Sequence, residues 1–166
     1  IESITWMTTE GFSTAISAFV GQNYGARNYE RVKEGYYRGL RIVGAIGIFA
    51  TLRLMFAGES IFKIFTPEDA LAIAQGKIYL WILGFSQFFM AIEIGSAGGF
   101  NGLGRTHIPA IIGIVLNGLR IPAAYILSST ALGMTGVWWS ISVSSILKGL
   151  ILTSSLMYVL KKGLKA

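Results

Sequence analysis

Long apolar stretches separated by shorter polar connections set the pattern of this chain, and stretches of that length predict helices rather than strands. Five stand out, at residues 4–20, 39–57, 78–100, 109–128 and 136–160. Each approaches the ~20 residues with which an α-helix crosses the hydrocarbon core of a bilayer. The pattern therefore predicts an all-α polytopic membrane helix bundle of about five transmembrane helices.

Few of these stretches are uniformly apolar, and their interruptions change the picture. The first carries Glu10 among small and hydroxyl residues such as Thr9, Gly11, Ser13 and Thr14, which let helices approach closely. The second is bounded by Arg41 and Arg53, both able to snorkel toward headgroups. Glu93 and the run Gly95-Ser96-Ala97-Gly98-Gly99 interrupt the third. The fourth begins at Pro109, a first-turn position, and passes Asn117, Arg120 and Pro122. The fifth contains Lys148, with Trp138 and Trp139 near one interface and Tyr158 near the other. A bundle that encloses water, ions or solute needs polar positions facing inward, so the broken pattern points to transport rather than anchoring.

The connections add orientation. Residues 21–34 read as a solvated connection, a turn followed by the amphipathic start of the next helix. Residues 58–65 resemble a short interfacial helix, and Thr66-Pro67-Glu68-Asp69 supplies a helix start with acids in its first turn. Arg27, Arg31 and Lys33 occupy the first connection, Arg105 the third, and Lys161, Lys162 and Lys165 follow the last helix. By the positive-inside rule these face the cytoplasm, as does the C-terminus.

Composition agrees with lipid as the solvent: 53% of the residues are hydrophobic and 13% charged, with a mean hydropathy of +0.61. The net charge of +6 raises the question of nucleic acid. The basic residues flank apolar stretches instead of gathering on one polar face, which argues against it. Cysteine is absent and there is one histidine, His107, so thiolate chemistry and a histidine-rich metal site are both excluded. No Ser, His and Asp arrangement falls at membrane depth and no cofactor motif is present; an enzyme is not expected. The chain opens on Ile1 and reads as a fragment.

Among single residues, Glu93 is the first candidate for binding an ion or cation, because a carboxylate at lipid depth is costly unless it faces a cavity or a partner. Glu10, in its hydroxyl-rich helix, is the second. Arg120 and Lys148 are candidates for pairing with an acid across the bundle. Gln22, with Gly25 and Ala26, is expected to shape the first loop, the glycine permitting the turn. Gln87, Phe88 and Phe89 suit either a drug site or packing. Gly102-x-Gly104 lacks the strand and lysine of a phosphate loop, and His107 reads as a surface residue at a helix start.

Several ordered landmarks resemble the multidrug and toxic compound extrusion (MATE) family, specifically the second half of its bacterial members. They are Gly11-Phe12-Ser13-Thr14-Ala15 and Gly21-Gln22-Asn23-Tyr24-Gly25-Ala26, then Asn101-Gly102-Leu103-Gly104-Arg105-Thr106 with Pro109, then Asn117 and Arg120-Ile121-Pro122, then Gly133 and Gly136-Val137-Trp138-Trp139. The resemblance implies helices eight to twelve of a twelve-helix, two-lobe transporter of the cell (inner) membrane, with the first lobe and seventh helix outside this sequence. It also implies export of cationic, often aromatic, compounds by antiport against Na+ or H+. In the family the acid of the tenth helix stands about one turn before Glu93, where this chain has Met90. Two other readings fit the same architecture: a flippase for lipid-linked oligosaccharides, and a non-transporting membrane scaffold that uses its small-residue faces for partners.

Overall fold

The computed structural model describes residues 2–65 and 70–163, apart from the side chains of residues 2, 4, 57–59, 61–65, 70 and 72. Five helices follow one another: α1 (Glu2–Gly25), α2 (Tyr29–Phe65), α3 (Ala70–Gly102), α4 (His107–Ser128) and α5 (Met134–Lys162). All five expected helices are present, and every one is longer than its apolar stretch. The reason is that the polar flanks also have means to stay helical.

The clearest case is the first connection. Residues 21–34, read as a turn followed by the amphipathic start of the next helix, hold a turn of only Ala26-Arg27-Asn28, with the end of α1 before it and the start of α2 after it. Asn28 caps α2, its side-chain oxygen accepting from the Arg31 N–H at 3.3 Å. On the next turns Lys33 pairs with Glu30 at 3.2 Å and Arg38 with Glu34 at 2.6 Å, the three- and four-residue spacings that support a solvated helix. A glycine was expected to make the turn. Instead Arg27 takes the left-handed conformation (φ 58°).

The turn after α3 has the same hydrogen-bond pattern. Asn28 N–H bonds to the Asn23 carbonyl and Arg27 N–H to that of Tyr24, just as Arg105 bonds to Phe100 and Gly104 to Asn101. Both are Schellman closures, with Gly104 (φ 72°) at the left-handed position of the second. At the second connection, residues 58–65 continue α2 without a break and are not a separate interfacial helix. The expected helix start at Thr66-Pro67-Glu68-Asp69 lies outside the described residues.

By length and apolar composition, Tyr29–Phe56, Ile73–Gly102, His107–Ser128 and Met134–Lys162 can each cross a membrane. α1 is about 36 Å long, sufficient for a ~30 Å hydrocarbon core. Its Thr, Ser and Glu content leaves it without the sustained apolar run that each of the other four contains. α2, at about 55 Å, exceeds that thickness, and its ion-paired first turns are suited by their charge to lie beyond the hydrocarbon.

α3 is the central element, packed against α1, α2 and α5, while α4 rests on α5 and barely meets α3. Close approach around α3 is a matter of glycine. A methyl group at Gly98 would collide with the carbonyl and hydroxyl oxygens of Ser13 on α1, and one at Gly149 of α5 would collide with the Phe89 carbonyl. The closely packed core lies toward the C-terminal ends of α1, α3 and α5 and the N-terminal half of α2, where Ile16, Val20, Val32, Tyr36, Phe100, Leu152 and Leu156 are buried together. Toward the other end Tyr79 meets Trp138 edge-on at 5.5 Å, and Phe85 stacks on Trp139.

Candidate functional site

Four helices contribute to a polar cavity of about 220 Å³. Trp6 comes from α1, Ser86, Met90 and Glu93 from α3, Arg120 from α4, and Ser145 and Lys148 from α5. Leu83, Ile94 and Ile141 supply apolar wall. Glu93 and Lys148 form an ion pair at 3.1 Å, with side chains only 18% and 13% exposed. The cross-bundle partner expected of Lys148 is thus Glu93 itself. A pair this secluded depends on its geometry, because removing one member strands a charge in a medium that solvates it poorly.

The pairing satisfies one carboxylate oxygen only. Glu93 Oε2 is buried without a hydrogen-bond partner among the described residues. A carboxylate oxygen in that position is an open acceptor, able to take a donor hydrogen, a proton or a small cation. Met90 faces the same cavity one turn earlier on α3. An acid at either position would therefore reach the same space, since residues three apart share a helix face.

Arg120 meets no acid within ion-pair distance among the described residues. Its Nε donates to Ser144 Oγ at 2.8 Å and its Nη2 to Ser145 Oγ at 3.4 Å. Both serines are buried. The expected partnership with a carboxylate is replaced by a tether from α4 to two hydroxyls of α5.

Glu10 does not join this cavity. It is exposed on α1 and lines a separate recess of about 300 Å³ with Ser13, Thr14, Ser17 and Asn101. Gln22 is exposed in the last turn of α1 and its side chain bridges nothing among the described residues, contrary to the loop-shaping role expected of it. Asn23 is the residue whose side chain bonds to the helix, donating to the Phe19 carbonyl at 2.8 Å. His107, as expected, is an exposed residue at the start of α4.

A second polar feature escaped sequence reasoning. Tyr36 of α2, Ser96 of α3 and Thr153 of α5 form a buried hydroxyl chain with O···O distances of 2.9 Å at each link. Thr153 also donates to the Ile92 carbonyl at 3.4 Å. Its only trace in the sequence is a hydroxyl on each of three helices, and nothing in their spacing links them. Gln87 is fully buried on α3 with its side-chain oxygen unpartnered among the described residues, whereas Phe88 faces an apolar groove of about 400 Å³ against α2 and α5. The two do not line one site.

An all-helical membrane bundle with a charged cavity at its interior is the class of protein these features define. The MatE family model matches residues 1–126, and the chain belongs to that family. A probable multidrug resistance protein NorM of Thermotoga maritima is 31% identical over 144 residues, which cover 83% of this chain and 30% of that protein. The human multidrug and toxin extrusion protein 1 is 27% identical, over 86% of this chain and 25% of its own length. A solved inward-facing multidrug resistance MATE family transporter of the MOP superfamily superposes with a TM-score of 0.86 at 22% identity, over 99% of this chain and 39% of that one. The chain thus spans about a third of the length of the relatives it matches.

Proposed function

We propose that this chain forms part of the second lobe of a secondary multidrug efflux transporter. The complete protein exports cationic or aromatic compounds by antiport against Na+ or H+, using alternating access. Family membership supports the class of protein, and the observation that carries the mechanism is Glu93, ion-paired on one oxygen and unpartnered on the other inside a four-helix cavity. An ion arriving at Oε2 weakens the hold on Lys148, because both draw on the same negative charge. A proton does so by cancelling that charge, and Na+ by competing for it. Either exchange changes the attraction between α3 and α5, which is the kind of differential contact an alternating transporter requires.

The rest of this reading follows the same logic. A first lobe and a further helix of the same protein complete the substrate pathway, and the protein spans the cell (inner) membrane with the basic end after α5 in the cytoplasm. Glu93→Gln in the complete transporter keeps the shape of the side chain and removes the exchangeable charge. Gradient-driven efflux of a cationic dye from proteoliposomes should fall at least tenfold. Unchanged efflux would remove Glu93 from the mechanism, and movement of a lipid-linked glycan without dye efflux would favour the flippase reading.

A further inference from the structure

The cavity around Glu93 carries more positive than negative charge. Lys148 and Arg120 face one carboxylate among the described residues, and Lys148 already engages it. A guanidinium has five N–H groups, and Arg120 commits two of them to Ser144 and Ser145. Those serines fix the plane of the group without neutralising it. An unbalanced cation at membrane depth is expensive, and a planar guanidinium with free N–H groups matches a carboxylate in both charge and shape.

The walls indicate what such a carboxylate would be attached to. Trp6 offers an aromatic face, and Met90 and Ile94 offer polarizable and apolar surface across the same cavity. From this arrangement we infer that Arg120 is a specificity residue that binds the carboxylate of zwitterionic aromatic substrates, while Glu93 serves ion exchange. The inference rests on the efflux reading above and deepens it: one cavity handles two charges, with the anionic group of the substrate on the α4 side and the coupling ion on the α3 side. A purely cationic compound gains nothing from Arg120, and a zwitterion does.

The test compares a rhodamine dye bearing a free carboxylate with the methyl ester of the same dye, in proteoliposomes of the complete transporter. Arg120→Gln should raise KM for the acid dye about tenfold and leave the ester within twofold of wild type. Arg120→Lys, which keeps the charge and loses the fork, should recover part of the acid-dye affinity. Preserved ester transport shows that the variant still folds. Equal loss with both dyes would assign the countercharge of Arg120 to the rest of the transporter, and an unchanged KM for the acid dye would leave Arg120 a structural tether; either result overturns the inference while efflux of the ester by wild type upholds the transport function. If wild type exports neither dye, equilibrium binding to the purified transporter, read by fluorescence polarization, decides the matter separately. Binding of the acid dye weakened about tenfold by Arg120→Gln upholds the carboxylate site although the efflux reading has failed, and binding insensitive to the substitution overturns it.

Discussion

At the scale of single residues, the Glu93 and Lys148 pair is where energetics and function meet. Replacing Lys148 with Met should lower stability by about 3–5 kcal/mol, because the carboxylate then remains secluded without its partner. The double variant Glu93→Gln with Lys148→Met should recover most of that loss, since it removes both charges together. Thermal unfolding in detergent measures both, and a double variant no more stable than Lys148→Met would show that the pair does not act as a unit. Glu93 and Lys148 were legible in the sequence because charge at lipid depth is rare enough to attract notice. Their pairing was not, since they lie on different helices and no periodicity within either one relates them. Arg120 was legible as a residue and not in its partners, because serine hydroxyls are too common in these helices to single out Ser144 and Ser145.

At the scale of elements, helix identity was written in the apolar runs and helix length in the polar ones. The runs located all five helices, and the N-terminal turns of α2 read as the amphipathic start of a helix within a solvated connection, with no sign of how short the turn before them is. The Glu30–Lys33 and Glu34–Arg38 pairs and the Asn28 cap make them helix. Glycine content likewise signalled close packing without saying which glycine touches what. The structure separates them, and the separation is testable. Gly98→Ala places a methyl against Ser13 and should destabilise the bundle by roughly 1–3 kcal/mol, the range for overpacking. Gly113→Ala, on α4 with nothing nearby, should stabilise it by up to ~1 kcal/mol through helix propensity. Thermal unfolding of the two variants side by side checks the pair of signs.

At the scale of the whole molecule, the alternating direction of five helices fixes which connections share a side. The turn at residues 26–28 and the turn between α3 and α4 lie at one end with the close of α5, and the turn between α4 and α5 lies at the other. This arrangement was legible from the positions of lysine and arginine alone. The chain contains no cysteine, so single cysteines can report it once any elsewhere in the transporter are replaced. Arg27→Cys should react with a membrane-impermeant maleimide only from the cytoplasmic side, and Ala131→Cys only from outside. Labelling of both from the same side would break the assigned topology.

α4 stands apart from the other helices. None of its residues is buried, and Pro122 interrupts its backbone ladder by leaving the Gly118 carbonyl without its usual donor. The bonds from Arg120 to Ser144 and Ser145 are its side-chain hydrogen bonds to another helix among the described residues. They sit half a turn from the proline, so the point of firmest attachment coincides with the point of least internal stiffness. Such a helix is jointed near its middle, and its two halves can answer different neighbours.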